Sequence, residues 1–161
     1  MTSLRPSLTL CGAKDAEDAA MLLHDQDTLR RGVFQISGVI VPPIVYDPAV
    51  KTQEGRWEVR LNGEVISAGG RGDLIEGMLS SQVVTDLLSH ASAFVVPIFV
   101  IQRLQVMSDT YPDLFRAATE AMTPERLTEY LQKQVAAHVP IRDFRGALEL
   151  ALAEDLTHRP S

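Results

Sequence analysis

Cysteine is almost missing from this 161-residue chain. Cys11 stands alone, so neither an internal disulfide framework nor a cysteine metal cluster can form. Lysine is nearly as scarce: Lys14, Lys51 and Lys133 accompany scattered arginines, and the formal net charge is −6 with a pI near 5.1. An acidic chain without a clustered basic face is a poor match for a phosphate backbone, so no nucleic-acid partner is expected. Long apolar runs are lacking too. The stretch Ala93 to Ile101 is too short to cross a bilayer and carries Pro97. Arg5 and Pro6 interrupt the first ten residues, which therefore lack signal-peptide form, and no direct membrane insertion is expected. His24, His90, His138 and His158 are isolated, without metal-ligand spacing, and read as surface or helix-end residues. There is no Gly-x-Ser-x-Gly elbow and no partner for Cys11 that sequence identifies. We expect no cofactor, no metal, no catalytic residue and no enzyme.

What is present suits a folded domain. Hydrophobic residues make up 45% and charged residues 22%, ordinary globular usage, and a chain this long buries roughly 70% of its unfolded surface. Pro42 and Pro43 interrupt the apolar run Gly38 to Asp47, and neither can donate to a sheet ladder. That places the pair at a sheet edge, a bulge or a strand end. Arg56 to Leu61 and Glu64 to Ala68 flank Asn62-Gly63, the strongest short-range hairpin signal. Ser7 to Cys11 reads as a first strand. Asp15 to Ser37 reads as a helix with Ala16, Ala19, Ala20, Leu22, Leu23, Leu29, Val33 and Ile36 near helical spacing, broken around Asp25-Gln26-Asp27.

The second half is helical. Asp73-Leu74-Ile75-Glu76 has capping-box form and predicts a helix through about Phe94. A further helix covers Ile98 to Thr110, with a stop and restart at Tyr111-Pro112-Asp113. Thr123-Pro124-Glu125 opens another, with Leu127, Leu131 and Val135 on one face. His138-Val139-Pro140 ends it, and Pro140 is expected to open a last helix whose first turn holds Asp143. The fold class is α+β: a small helix-backed β-sheet subdomain over residues 1–72, then a helical subdomain over residues 73–161.

The order of these motifs resembles one family, the FHIPEP export-gate proteins of flagellar and type III secretion systems, called FlhA-like and SctV-like. Leu29-Arg30-Arg31 with Val33 and Ile36 matches its Leu-rich basic helix, Gly38 to Asp47 its Pro-Pro strand, and Trp57 to Gly63 the strand that follows. Val139-Pro140-Ile141-Arg142-Asp143-Phe144, followed by Leu148 to Ala153, matches the family's Val-Ser-Ile-Arg-Asp-Leu helix start, with Pro140 replacing the Ser cap. The resemblance covers about Leu8 to Asp155. It implies the cytoplasmic part of such a protein, trimmed, without the membrane half, without the small subdomain inserted after the hairpin, and without the last subdomain. Gly69-Gly70-Arg71-Gly72 would then be a flexible connector, a simpler reading than an anion cradle, since Asp73 and Glu76 occupy the helix end an anion would need.

Relatives carry a charged, amide-bearing stretch where this chain reads Pro97-Ile98-Phe99-Val100-Ile101-Gln102. Phe94, Ile98, Phe99 and Ile101 are either core or an interface with another copy or another protein. If interface, Phe99→Asp weakens association and leaves the fold intact; if core, it unfolds the chain. Arg142 joins them as a candidate interaction residue, weighed against plain projection into solvent beside a helix-stabilising Asp143. The resemblance implies a cytoplasmic bacterial protein-interaction module that binds export substrates, chaperones or apparatus components, or assembles with copies of itself. A stand-alone regulatory or defence adaptor is the second reading. A DNA-binding regulator is the third, weakened by acidity and by Arg142 and Arg145 being the only basic residues on its would-be second helix.

Overall fold

The computed structural model describes residues 5–70 and 81–158. They divide into two compact units: residues 5–35, 40–70 and 81–90 form one, and residues 36–39 with 91–158 form the other. The architecture is α+β, as the motif pattern indicates.

The first unit is a four-stranded sheet with helices. β1 (Leu8–Cys11), β2 (Ile44–Tyr46), β3 (Arg56–Leu61) and β4 (Glu64–Gly70) lie in the order β2-β1-β3-β4. β1 and β2 are parallel and are joined through α1 (Ala16–Leu22) and α2 (Gln26–Ser37); the other neighbours are antiparallel. The helical stripe, expected to break around Asp25-Gln26-Asp27, breaks slightly earlier, at residues 23–25, and Gln26 and Asp27 already form the first turn of α2. Asp15 caps α1 by accepting the Asp18 N–H at 2.8 Å. Alternation decides the faces: Leu8, Leu10, Ile44, Trp57, Val59 and Leu61 are buried, while Thr9, Glu58 and Arg60 between them are not fully covered. Ala19, Leu22, Leu29 and Val33 are buried from the helices, whereas Ala16, Ala20 and Ile36, counted with the inward stripe by spacing, are exposed.

The hairpin turns at Asn62 (φ 51°) and Gly63 (φ 89°), the two positive values a two-residue primed turn requires. Beyond it, β4 carries a register shift between Val59 and Arg60 of its partner and runs on through Gly70. Gly69 and Gly70 are thus strand residues rather than connector. A Cβ on Gly69 would lie 2.7 Å from the Trp57 ring, so the glycine makes room for the one indole of the chain. Arg71, Gly72 and the Asp73–Glu76 capping signal lie outside the described residues. α3 (Ser81–Ser89) belongs with the sheet and buries Val83 and Leu87.

In the second unit, a 3-10 turn (Ala91–Phe94) precedes α4 (Pro97–Thr110), α5 (Pro112–Ala121), α6 (Pro124–Ala136) and α7 (Phe144–His158). Three of these helices begin with a proline, whose missing N–H costs nothing in a first turn. Thr123 caps α6 through the Arg126 N–H. Pro140 does not open the last helix. The Ile141 N–H donates to the Ser37 carbonyl at 2.8 Å, and this non-helical bond holds the backbone out of α7 until Asp143. Asp143 then caps it, accepting the Gly146 N–H at 3.3 Å. Phe94, Val100, Leu104, Leu127, Leu131, Ile141, Phe144 and Leu148 fill this unit's core.

Candidate protein-interaction surface

The apolar run separates by helical geometry. Val96 leads into α4 and Pro97 fixes its first turn, so Phe99, Val100 and Leu104 fall on the buried side. Phe94 ends the 3-10 turn at 2% exposure, and Phe99 retains 8%. The Gln132 amide of α6 donates to the Val95 carbonyl at 2.8 Å and fastens this corner from the side. Phe94 and Phe99 are therefore core residues, and the interface reading fails for both. Ile101 is half-buried. Ile98 remains 38% exposed and, with the more open Val106, gives α4 an outward apolar edge. Beside the corner, Ser92, Ala93, Glu129, Gln132, Lys133 and Ala136 line an open groove of about 470 Å³ between the 3-10 turn and α6.

Arg142 lies elsewhere, on the segment leading into α7, and is exposed. Gly38 supports this segment from Ile36–Val39: its φ is +80°, and a Cβ there would come within 2.1 Å of the Arg142 nitrogen. Two further arginines meet the same helix start. The Arg103 guanidinium sits 5.4 Å from the Phe144 ring centre, and that of Arg145 sits 5.3 Å from the Tyr111 ring centre. Arg145 also donates to Glu149 at 3.1 Å. Tyr111 and Glu149 together hold the Arg145 guanidinium above its usual pKa. Sequence reasoning weighed Arg142 and passed over Arg103 and Tyr111, because only the fold brings residues so distant in the chain to one helix end.

A buried charge locks α6 to α7. Asp155 is 1% exposed, accepts from Arg126 Nε at 2.7 Å and from the Tyr130 hydroxyl at 3.1 Å, and the Arg126 Nη2 donates to that hydroxyl at 3.0 Å. Burial first, then the bond to Asp155, pushes the Tyr130 phenol above its ordinary pKa. The signal for this cluster was a carboxylate within an apolar stripe of the last helix, opposite no partner that spacing could name.

In the sheet unit, the loop Asp47 to Gly55 and Gly12-Ala13 enclose a small polar cleft of about 150 Å³, with Tyr46, Lys51 and Thr52 on its wall. Burial raises the pKa of the neighbouring Cys11 thiol. Among the described residues no three His, Cys, Asp or Glu side chains gather as a metal site, and no helix is long and apolar enough to cross a membrane.

No family model and no curated protein sequence matches the chain. Solved structures do. The Shigella flexneri MxiA protein superposes with a TM-score of 0.72 at 18% identity, over 96% of this chain and 59% of that one. The Chlamydia pneumoniae CdsV protein, solved alone and in complex with CdsO, gives 0.75 at 15% identity when alone, over 99% and 64%. Nonameric EPEC SctV-C gives 0.69 at 16% identity, over 98% and 62%. The chain thus spans less than two thirds of the structures it matches. It has the fold of the MxiA, CdsV and SctV-C structures, and the likeness to SctV-like export-gate proteins drawn from its motifs holds at the level of fold.

Proposed function

We propose that this chain is a non-catalytic protein-interaction module of the export-gate type, acting in the cytoplasm by associating with copies of itself and with protein partners of a secretion apparatus. The observation that carries this reading is the match over 98% of the chain to an SctV-C assembly that is nonameric. The CdsV structure solved with CdsO supports a second protein partner. In this chain the exposed apolar side chains Ile98 and Val106 on α4, and Leu150 and Leu156 on α7, supply surface for such contacts. Sedimentation velocity over a concentration series from low micromolar upward tests the proposal. Mass-action growth to a closed oligomer, weakened by Ile98→Asp or Val106→Asp, is the expected result. A chain that stays monomeric throughout, with and without apparatus proteins added, overturns it.

A further inference from the structure

We infer that the start of α7 is a docking point for an acidic segment of a partner protein, gripped by Arg103, Arg142 and Arg145. This rests on the interaction-module reading and names the chemistry of one partner. The chain is acidic overall, yet three of its arginines gather around the first turn of one helix. Among the described residues, neither Arg103 nor Arg142 has a carboxylate within ion-pair distance. The single ion pair at this corner, Arg145 with Glu149, joins two side chains that are each 53% exposed, so solvent and salt weaken it. Of the nearby carboxylates, Asp143 is engaged with the α7 backbone and Glu149 with Arg145.

Geometry prepares the corner for carboxylates. Phe144 lies under the Arg103 guanidinium and Tyr111 under that of Arg145, which limits their rotation; Arg103 can meet a carboxylate side-on, and Arg145 does so by exchanging its exposed partner Glu149. The N-terminal end of the fifteen-residue helix α7 adds positive potential. Tyr111, 39% exposed, gives the same corner aromatic surface, a residue type enriched in binding hot spots. A polyanionic nucleic acid fits less well, because three cations cannot offset the repulsion from a chain of net charge −6.

Fluorescence anisotropy of the full chain with a short labelled peptide of Glu, Asp and Leu tests this, alongside its Gln, Asn and Leu counterpart. We expect the acidic peptide to bind at least about tenfold more tightly than its amide counterpart, and to lose about tenfold on combined Arg142→Glu and Arg145→Glu. Raised salt should weaken it as well, while Arg116→Glu on the exposed side of α5 should leave it unchanged. Circular dichroism checks the fold, with Arg142→Gln and Arg145→Gln as the milder pair. Equal binding of both peptides, or equal binding to all variants, overturns the inference. So does a single-stranded oligonucleotide that displaces the peptide and binds more tightly through the same arginines. Self-association abolished by the reversal in a chain that binds no peptide would make a second copy the occupant and also overturns it. An unmutated chain that oligomerises but binds no acidic peptide sinks this inference alone; peptide binding by a permanent monomer sinks only the self-association proposed above.

Discussion

At Gly38 two constraints coincide: a left-handed backbone and a hypothetical Cβ 2.1 Å from a backbone nitrogen that cannot move aside cheaply. Gly38→Ala should therefore destabilise the chain by about 2 kcal/mol, read as a lower denaturant midpoint at unchanged m-value. At Tyr130 the consequence is pH dependence. Its folded pKa lies above the ordinary value near 10, so the folded state holds the phenol proton more tightly than the unfolded state does. That stabilisation is complete below about pH 10 and drains away as pH rises through the folded pKa. Thermal melts above pH 10 should show a steep alkaline loss that Tyr130→Phe flattens. Phe99 and Ile98 are adjacent in sequence and opposite in consequence. Phe99→Asp places an unpaired charge in the core and should abolish cooperative melting, whereas Ile98→Asp should melt like the parent. Spacing alone could not sort the two, because an apolar run on a helix is ambiguous until the neighbouring helix declares which side is inside.

Among the elements, the sheet edges show how a short strand is kept from recruiting others. β2 is three residues long, is preceded by Pro42 and Pro43, and has its outer edge occupied by a side chain: Gln26 accepts the Ile44 N–H at 2.8 Å and donates to the Ile44 carbonyl at 3.3 Å. On β4 the Gln82 amide of α3 donates in the same way to the Ala68 carbonyl at 3.0 Å. Gln26→Leu should leave the fold in place but expose an edge. The expected readout is faster, concentration-dependent rise of thioflavin fluorescence on mild heating, with little change in far-UV circular dichroism. The strands, the hairpin and the proline-led helices were legible in the sequence because their signals are local: two turn residues, a capping Thr, a ring without an N–H. Gln26 was read only as a helix break, since its second role depends on a strand eighteen residues away. The start of α7 was misplaced for the same reason. Pro140 looks like a first helical residue until Ser37 takes the next amide. The arginine corner was a third legible from sequence, through Arg142, and the rest required tertiary placement of Arg103 and Tyr111.

For the molecule as a whole, motif order carried further than any one motif, and it led to the fold that the solved secretion structures share at identities of 18% or less. What it could not reveal is that neither unit is one continuous stretch of chain. Residues 36–39 belong with residues 91–158, and the Ser37 carbonyl finds its amide only at Ile141. During synthesis this sets an order of events. At about 5–20 residues per second, roughly 5 to 20 s separate the appearance of Ser37 from that of its partner. Through that interval Val39, fully buried in the finished protein, has nothing to cover it from the helices still to come. The helical unit thus cannot close as its own residues emerge in turn; a piece made early must wait on the nascent chain for the last connection to leave the ribosome.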